Sequence, residues 1–143
     1  MYKNQRKDNF SAESDYRKSH IGKNKSFFYK SYVYSKSSYD TAIWEREKSC
    51  LINIIEKYLR DADINYLDFA CGTGRIISFL ETKVNMPFGI DISGSMIELA
   101  KKKVTHSKII KGDITKDPSL IKGEFNLITC FRFFLNAQDS LKH

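Results

Sequence analysis

Three aspartates and two glycines are the residues of this chain whose types and spacing could do chemistry: Asp68, Asp91, Asp113, Gly72 and Gly74. The first cluster reads Asp68-Phe69-Ala70-Cys71-Gly72-Thr73-Gly74-Arg75, with a short apolar run before it and helical composition after it. Strand, glycine turn and helix together make a nucleotide-site geometry. Glycine permits a tight turn and lets a ligand approach without a Cβ in the way. The first N–H groups of the following helix are expected to face that ligand. A dinucleotide loop of the GxGxxG kind would place a third glycine at 77, where this chain has Ile77. Asp68 would also repel a diphosphate by ~1 kcal/mol or more. The loop therefore argues against NAD and FAD and favours a cationic ligand without phosphate.

Asp91 follows Gly72 by 19 residues, the distance at which an acid accepts from ribose hydroxyls. After it come Ser93-Gly94-Ser95-Met96, where Ser93 suits a helix N-cap and Met96 offers a soft apolar surface to a purine face. In Gly112-Asp113-Ile114 the aspartate could accept from an adenine amino group while the Ile114 backbone pairs with the ring. Asp is common at strand ends and turns for purely local reasons. The three gain meaning together, because ligands of open parallel sheets sit at the carboxyl ends of the strands.

Four short apolar runs must position these residues: Tyr66 to Ala70, Met86 to Ile90, Lys108 to Lys111 and Phe125 to Phe131. Between them Gly74 to Glu81 and Ser93 to Val104 have helix starts and helical composition. The alternation predicts an α/β fold with a parallel sheet and helices on its faces. Ahead of it, Trp44, Leu51, Ile54, Ile55, Tyr58 and Leu59 recur at helical intervals and predict an amphipathic helix from Ile43 to Arg60.

The chain has 143 residues and a net charge of +7, unevenly placed. Residues 1–40 hold nine Lys or Arg against four acids, so a basic leader precedes a nearly balanced domain. We divide the chain into a basic, aromatic-rich leader at 1–42 and an α/β domain at 43–143. Phe27, Phe28, Tyr29, Tyr32, Tyr34 and Tyr39 are expected to cover the domain or line a substrate pocket. Interleaved with lysines they also fit stacking on nucleic acid, but the balanced domain argues against a nucleic-acid partner. Cys50, Cys71 and Cys130 lie far apart and suggest reduced thiols, and no histidine or cysteine spacing points to a metal. No apolar run reaches the ~20 residues of a membrane helix, and Met1 is not followed by a signal-peptide core, so the expected address is the cytoplasm.

The stretches LDFACGTGRI (67–76), FGIDISGSMIELAKKK (88–103), IIKGDI (109–114) and FNLITCFRFFLN (125–136) resemble, in order and spacing, the motifs of class I S-adenosylmethionine-dependent methyltransferases. The resemblance covers about residues 44 to 143. It implies a Rossmann-like open parallel sheet of order 3-2-1-4 and S-adenosylmethionine as cofactor, whose ammonium and sulfonium suit the charge of the loop. By the same resemblance Asp68, Gly72 and Gly74 contact the methionine end, Asp91 the ribose, Met96 and Ile114 the adenine faces, and Asp113 the adenine amino group. Ala70 and Ile92 also lie against the cofactor, and Phe131 stands beside the methyl donor. No catalytic residue is implied, although Arg132 and Asn136 could orient a polar substrate. The acceptor is expected to be a small molecule. Members of the family resemble a seven-stranded sheet of order 3-2-1-4-5-7-6. His143 falls after the fourth strand, so the chain is expected to be truncated, to bind cofactor without turnover, and to self-associate through its exposed fourth strand. The alternative is a non-catalytic nucleotide-binding or interaction module.

Overall fold

Four of the apolar runs pair into one parallel sheet in the computed structural model of the chain, which describes residues 38–131, 133–137 and 139. The strands are β1 (Asn65–Phe69), β2 (Met86–Asp91), β3 (Lys108–Lys111) and β4 (Leu127–Thr129), in the order β3-β2-β1-β4. This is the expected Rossmann-like arrangement. β1 is central, and Tyr66, Leu67 and Asp68 are buried in succession, as a strand covered on both faces requires. Winding reverses at β1, with β2 on one side and β4 on the other, so the switch point lies at the end of β1.

The fourth strand is shorter than its apolar run. Its pairing with β1 ends at Asp68↔Thr129, because β1 itself turns away at Ala70, whose φ is 54°. At the other end Asn126 takes over from the ladder. Its Oδ1 accepts from Asn65 N at 2.8 Å, its Nδ2 donates to Asp63 O at 2.8 Å, and its own N–H donates to Asn65 O at 3.1 Å.

Among the described residues four α-helices accompany the sheet: α1 (Ser38–Tyr58), α2 (Arg75–Leu80), α3 (Gly94–Lys101) and α4 (Phe133–Asn136). α1 begins five residues before the expected Ile43, since Ser38 to Ala42 contain no glycine or proline to stop it. Leu51 is buried in the core and Trp44, Ile55 and Leu59 pack against it, whereas Ile54 and Tyr58 face solvent. Trp44 fixes the helix. It meets Phe79 edge to face at 5.5 Å and carries the Arg75 guanidinium at 4.5 Å, while Arg75 also bonds Glu47 at 2.6 Å. Tyr39 is exposed, and the other leader aromatics lie outside the described residues. No helix among the described residues is long and apolar enough to cross a membrane.

Glu81, at the end of α2, holds the connection from α3 to β3. Its carboxylate accepts from the N–H groups of Thr105, His106 and Ser107 and from the hydroxyls of Thr105 and Ser107, at 2.9–3.3 Å. Burial pulls its pKa upward, but those donors together outweigh burial and hold it below the usual value. A depressed pKa contributes stability that is present at neutral pH and lost as pH falls through the native value. Glu81→Gln is expected to destabilise the chain by about 1–3 kcal/mol at pH 7 and to flatten its acid unfolding below pH ~4.5. Chemical denaturation of parent and variant at pH 7 and pH 4 checks both; an equal difference at the two pH values would contradict the assignment.

Candidate functional site

Asp68, the glycine loop and Asp91 converge at the ends of β1 and β2. Three residues in five, Ala70, Gly72 and Gly74, take positive φ (54°, 55° and 73°), so the chain winds tightly from strand into helix. For Ala70 this conformation costs roughly 1–2 kcal/mol. The two glycines serve different needs. A Cβ at Gly72 would meet only Ala70 O at 4.0 Å, so that position is open, and its left-handed backbone is what selects glycine. A Cβ at Gly74 would come within 2.8 Å of Ala100 Cβ, so Gly74 lets α2 start hard against the end of α3. The close helix packing that a third glycine gives a dinucleotide loop is supplied here at 74.

Hydrogen bonds within the protein take part of the donor set that the sequence led us to expect against a ligand. Cys71 N donates to Ile90 O at 3.1 Å, Gly72 N to Asp91 Oδ2 at 2.8 Å and Gly74 N to Cys71 O at 2.9 Å. In the first turn of α2, Ile77 N donates to Asp68 Oδ2 at 3.2 Å. A phosphate cradle needs such donors aimed outward. Here carboxylates of the protein take two of them, Gly72 N and Ile77 N, because both acids lie within reach of the turn.

Asp91, half-buried at the end of β2, also accepts from Ser93 N through Oδ1 at 2.8 Å. One side chain thus joins the glycine loop to the start of α3. Ser93 occupies the N-cap position, yet its hydroxyl caps nothing and pairs with Ser95 Oγ at 3.2 Å. Ile92 and Ile114 are half-buried nearby in sequence to their acids, whereas Met96 is buried at 4% exposure. Asp113 lies two residues past β3, and its carboxylate accepts from Thr115 N at 3.0 Å and Thr115 Oγ1 at 2.5 Å. Phe131 packs against the core. Arg132 and the Asn136 side chain lie outside the described residues.

Asp68 is 1% exposed and acts from beneath the loop. Burial raises its pKa to about 7 and the Asp91 charge adds to the rise, against hydrogen bonds from Thr129 and Ile77 N. Thr129 Oγ1 donates to Asp68 Oδ1 at 2.8 Å and shares a 2.5 Å hydrogen bond with the Tyr66 hydroxyl. Sequence reading missed Tyr66 and Thr129. Tyr66 carried a signal, since residues two apart on a strand share a face; Thr129 carried none, being 61 residues from Asp68.

Residues 67–142 match the sequence family described as methyltransferase domain. The chain belongs to the class I S-adenosylmethionine-dependent methyltransferases. Among other members of the family, it is 33% identical over 99 residues to malonyl-(acyl-carrier protein) O-methyltransferase of Priestia megaterium (strain DSM 319 / IMG 1521), covering 64% of this chain and 35% of the relative. It is 31% identical over 103 residues to dTDP-4-amino-2,3,4,6-tetradeoxy-D-glucose N,N-dimethyltransferase of Saccharopolyspora spinosa, covering 69% of this chain and 40% of the relative. The crystal structure of an S-adenosylmethionine-dependent methyltransferase from Clostridium acetobutylicum ATCC 824 superposes with a TM-score of 0.54 at 25% identity, over 75% of this chain and 42% of that one. The chain spans less than half the length of each of these three proteins.

Asp91→Asn keeps the size of the side chain but turns an NH2 group toward Gly72 N or Ser93 N, setting donor against donor. Loss of one such bond is expected to loosen the loop by about 1–3 kcal/mol. Amide exchange at Gly72 and Ser93 should accelerate by at least about tenfold while exchange in β3 stays unchanged. Unaltered exchange at both amides would show that Asp91 does not hold the loop.

Proposed function

We propose that this chain binds S-adenosylmethionine over the glycine loop and serves a methyltransferase whose acceptor is a small molecule. The observation that carries the reading is the use of Gly72 N by Asp91 and of Ile77 N by Asp68. Such a turn offers negative charge where dinucleotide loops offer positive, which suits a ligand with an ammonium, a sulfonium and no phosphate. The residues fit the cofactor: Asp91 accepts from the ribose hydroxyls, Met96 and Ile114 flank the adenine with Ile92 beside them, and Asp113 meets the adenine amino group. Ala70, Gly72 and Gly74 bring backbone close to the methionine end, and Phe131 borders the site from beyond β4.

When bound, S-adenosylmethionine supplies a methyl group on a sulfonium sulfur that activates it toward in-line displacement. The work left to the protein is alignment at ~3–3.5 Å and exclusion of water. The fixed loop, pinned to β2 through Ile90 O and Asp91, suits that task. A small-molecule acceptor is supported by the named relatives, one a malonyl-(acyl-carrier protein) O-methyltransferase and one an N,N-dimethyltransferase of a dTDP-amino sugar.

Calorimetric titration tests the cofactor reading. S-adenosylmethionine and S-adenosylhomocysteine should bind, and NAD should bind at least about tenfold more weakly; tighter binding of NAD would overturn it.

We further propose that the chain self-associates through β4. In the described sheet β4 pairs on one side only, with β1, and Ile128 on it and Phe134 beyond it are 59% and 53% exposed. Sedimentation should report species larger than the 16.6 kDa chain, and Ile128→Lys should return the monomer; a monomeric parent at high concentration would exclude the contact.

A further inference from the structure

The buried chain of hydroxyls behind the glycine loop has a fixed direction. An ionised carboxylate only accepts, so Thr129 gives its one hydroxyl proton to Asp68 Oδ1 at 2.8 Å. The Tyr66 hydroxyl must then donate to Thr129 Oγ1 across their 2.5 Å hydrogen bond. Reversing the chain, with a protonated Asp68 donating to Thr129 and Thr129 to Tyr66, would need another acceptor for the Tyr66 proton. Tyr66 is fully buried, and burial drives its pKa far above the usual value, so that proton stays. Asp68 Oδ2 likewise accepts, from Ile77 N at 3.2 Å. Each of these bonds, donated to Asp68, favours its charged form.

We propose that Tyr66 and Thr129 are positioning residues that keep Asp68 a carboxylate beneath the loop and so make the site prefer a sulfonium ligand over its neutral thioether counterpart. This rests on the cofactor reading above and deepens it. Asp68 reaches the ligand through space, because its side chain is buried and both oxygens are engaged inside the protein. The groups that face it are Tyr66 on its own strand, the Cys71 thiol in the loop, Asp91 on β2, the first turn of α2 through Ile77 N, and Thr129 with the Cys130 thiol on the β4 side. Burial raises both thiols, Cys130 to about 11, and they remain neutral near pH 7. Asp91 opposes the charge on Asp68. The hydroxyl chain and Ile77 N support it, and a cation over the loop adds to that support. Binding a sulfonium therefore expels a proton that the thioether leaves in place.

S-adenosylmethionine and S-adenosylhomocysteine share the adenosine and the ammonium and differ in the charge on sulfur, so the ratio of their affinities isolates the effect. Titration of the 143-residue chain from pH 6 to 8.5 should show this ratio rising by roughly three- to tenfold as Asp68 loses its proton. Tyr66→Phe should lower the ratio at pH 7 by about threefold or more and move the rise to higher pH. Thr129→Ser, which keeps the hydroxyl, should retain the parental profile. A ratio in the parent that does not change with pH would overturn the proposal, and it decides the matter even if Tyr66→Phe fails to fold. Equal loss of both ligands by a folded Tyr66→Phe at every pH would also overturn it, leaving the cofactor reading intact. A parent that binds neither ligand at any pH would remove the cofactor reading and the proposal together.

Discussion

The structure depends on a carboxylate placed where water does not reach. Burying an ionised aspartate without partners costs several kcal/mol, and breaking a buried ionic network is among the most damaging changes a domain can suffer. Asp68 is tolerated because three elements supply donors to it or behind it: β4 through Thr129, α2 through Ile77 N and β1 itself through Tyr66. Each donor has to lie within hydrogen-bond reach at once. That requirement fixes the register of β1 against β4, the height at which α2 begins and the path of the loop between them. Hydrophobic packing of Ile76, Ile77, Leu80 and Ile97 gives the bulk of the core, but packing of that kind tolerates sliding. A hydrogen-bonded buried charge does not.

Asp91 repeats the device one strand away, with a different outcome because it is half-buried. It ties Gly72 N and Ser93 N to one side chain, so the loop after β1 and the start of α3 move as a unit. Both carboxylates therefore do two things at once. They occupy two of the N–H groups that a phosphate would otherwise bind, Gly72 N and Ile77 N, and they bring negative charge to the mouth of the sheet. The same strand-turn-helix geometry serves anionic ligands in other proteins; here the identity of two side chains reverses its sign.

Much of this was legible in the sequence where the signal was local. The strands fell within a residue or two of their apolar runs on β1, β2 and β3, and the 19-residue spacing from Gly72 to Asp91 corresponds to a real hydrogen bond. What was hidden depends on residues brought together from a distance. The β4 boundary is set by where β1 turns at Ala70, so the longer run from Phe125 to Phe131 overstated the strand. The meaning of Gly74 depends on Ala100, and the role of Glu81 on a loop more than twenty residues away. Most telling is the direction of the α2 N–H groups. A glycine turn before a helix suggests donors aimed at a ligand, and only the placement of Asp68 shows that the protein itself consumes one of them.

Two buried acids of this small domain have opposite linkage to protons, and the contrast separates structure from function. Glu81 is surrounded by donors that outnumber the effect of burial, so its charge stabilises the fold at neutral pH. For Asp68 burial wins and its pKa rises to about 7. A raised pKa means that the folded chain holds the proton more tightly than the unfolded chain. Its stability is then fully present below the unfolded value of 3.8 and declines as pH rises through about 7. A residue selected for stability alone would not be charged there, since an apolar side chain of similar size would remove the cost. Retaining an acid that the fold charges only with difficulty makes sense if the return comes from outside the chain, from a cation that shares its site.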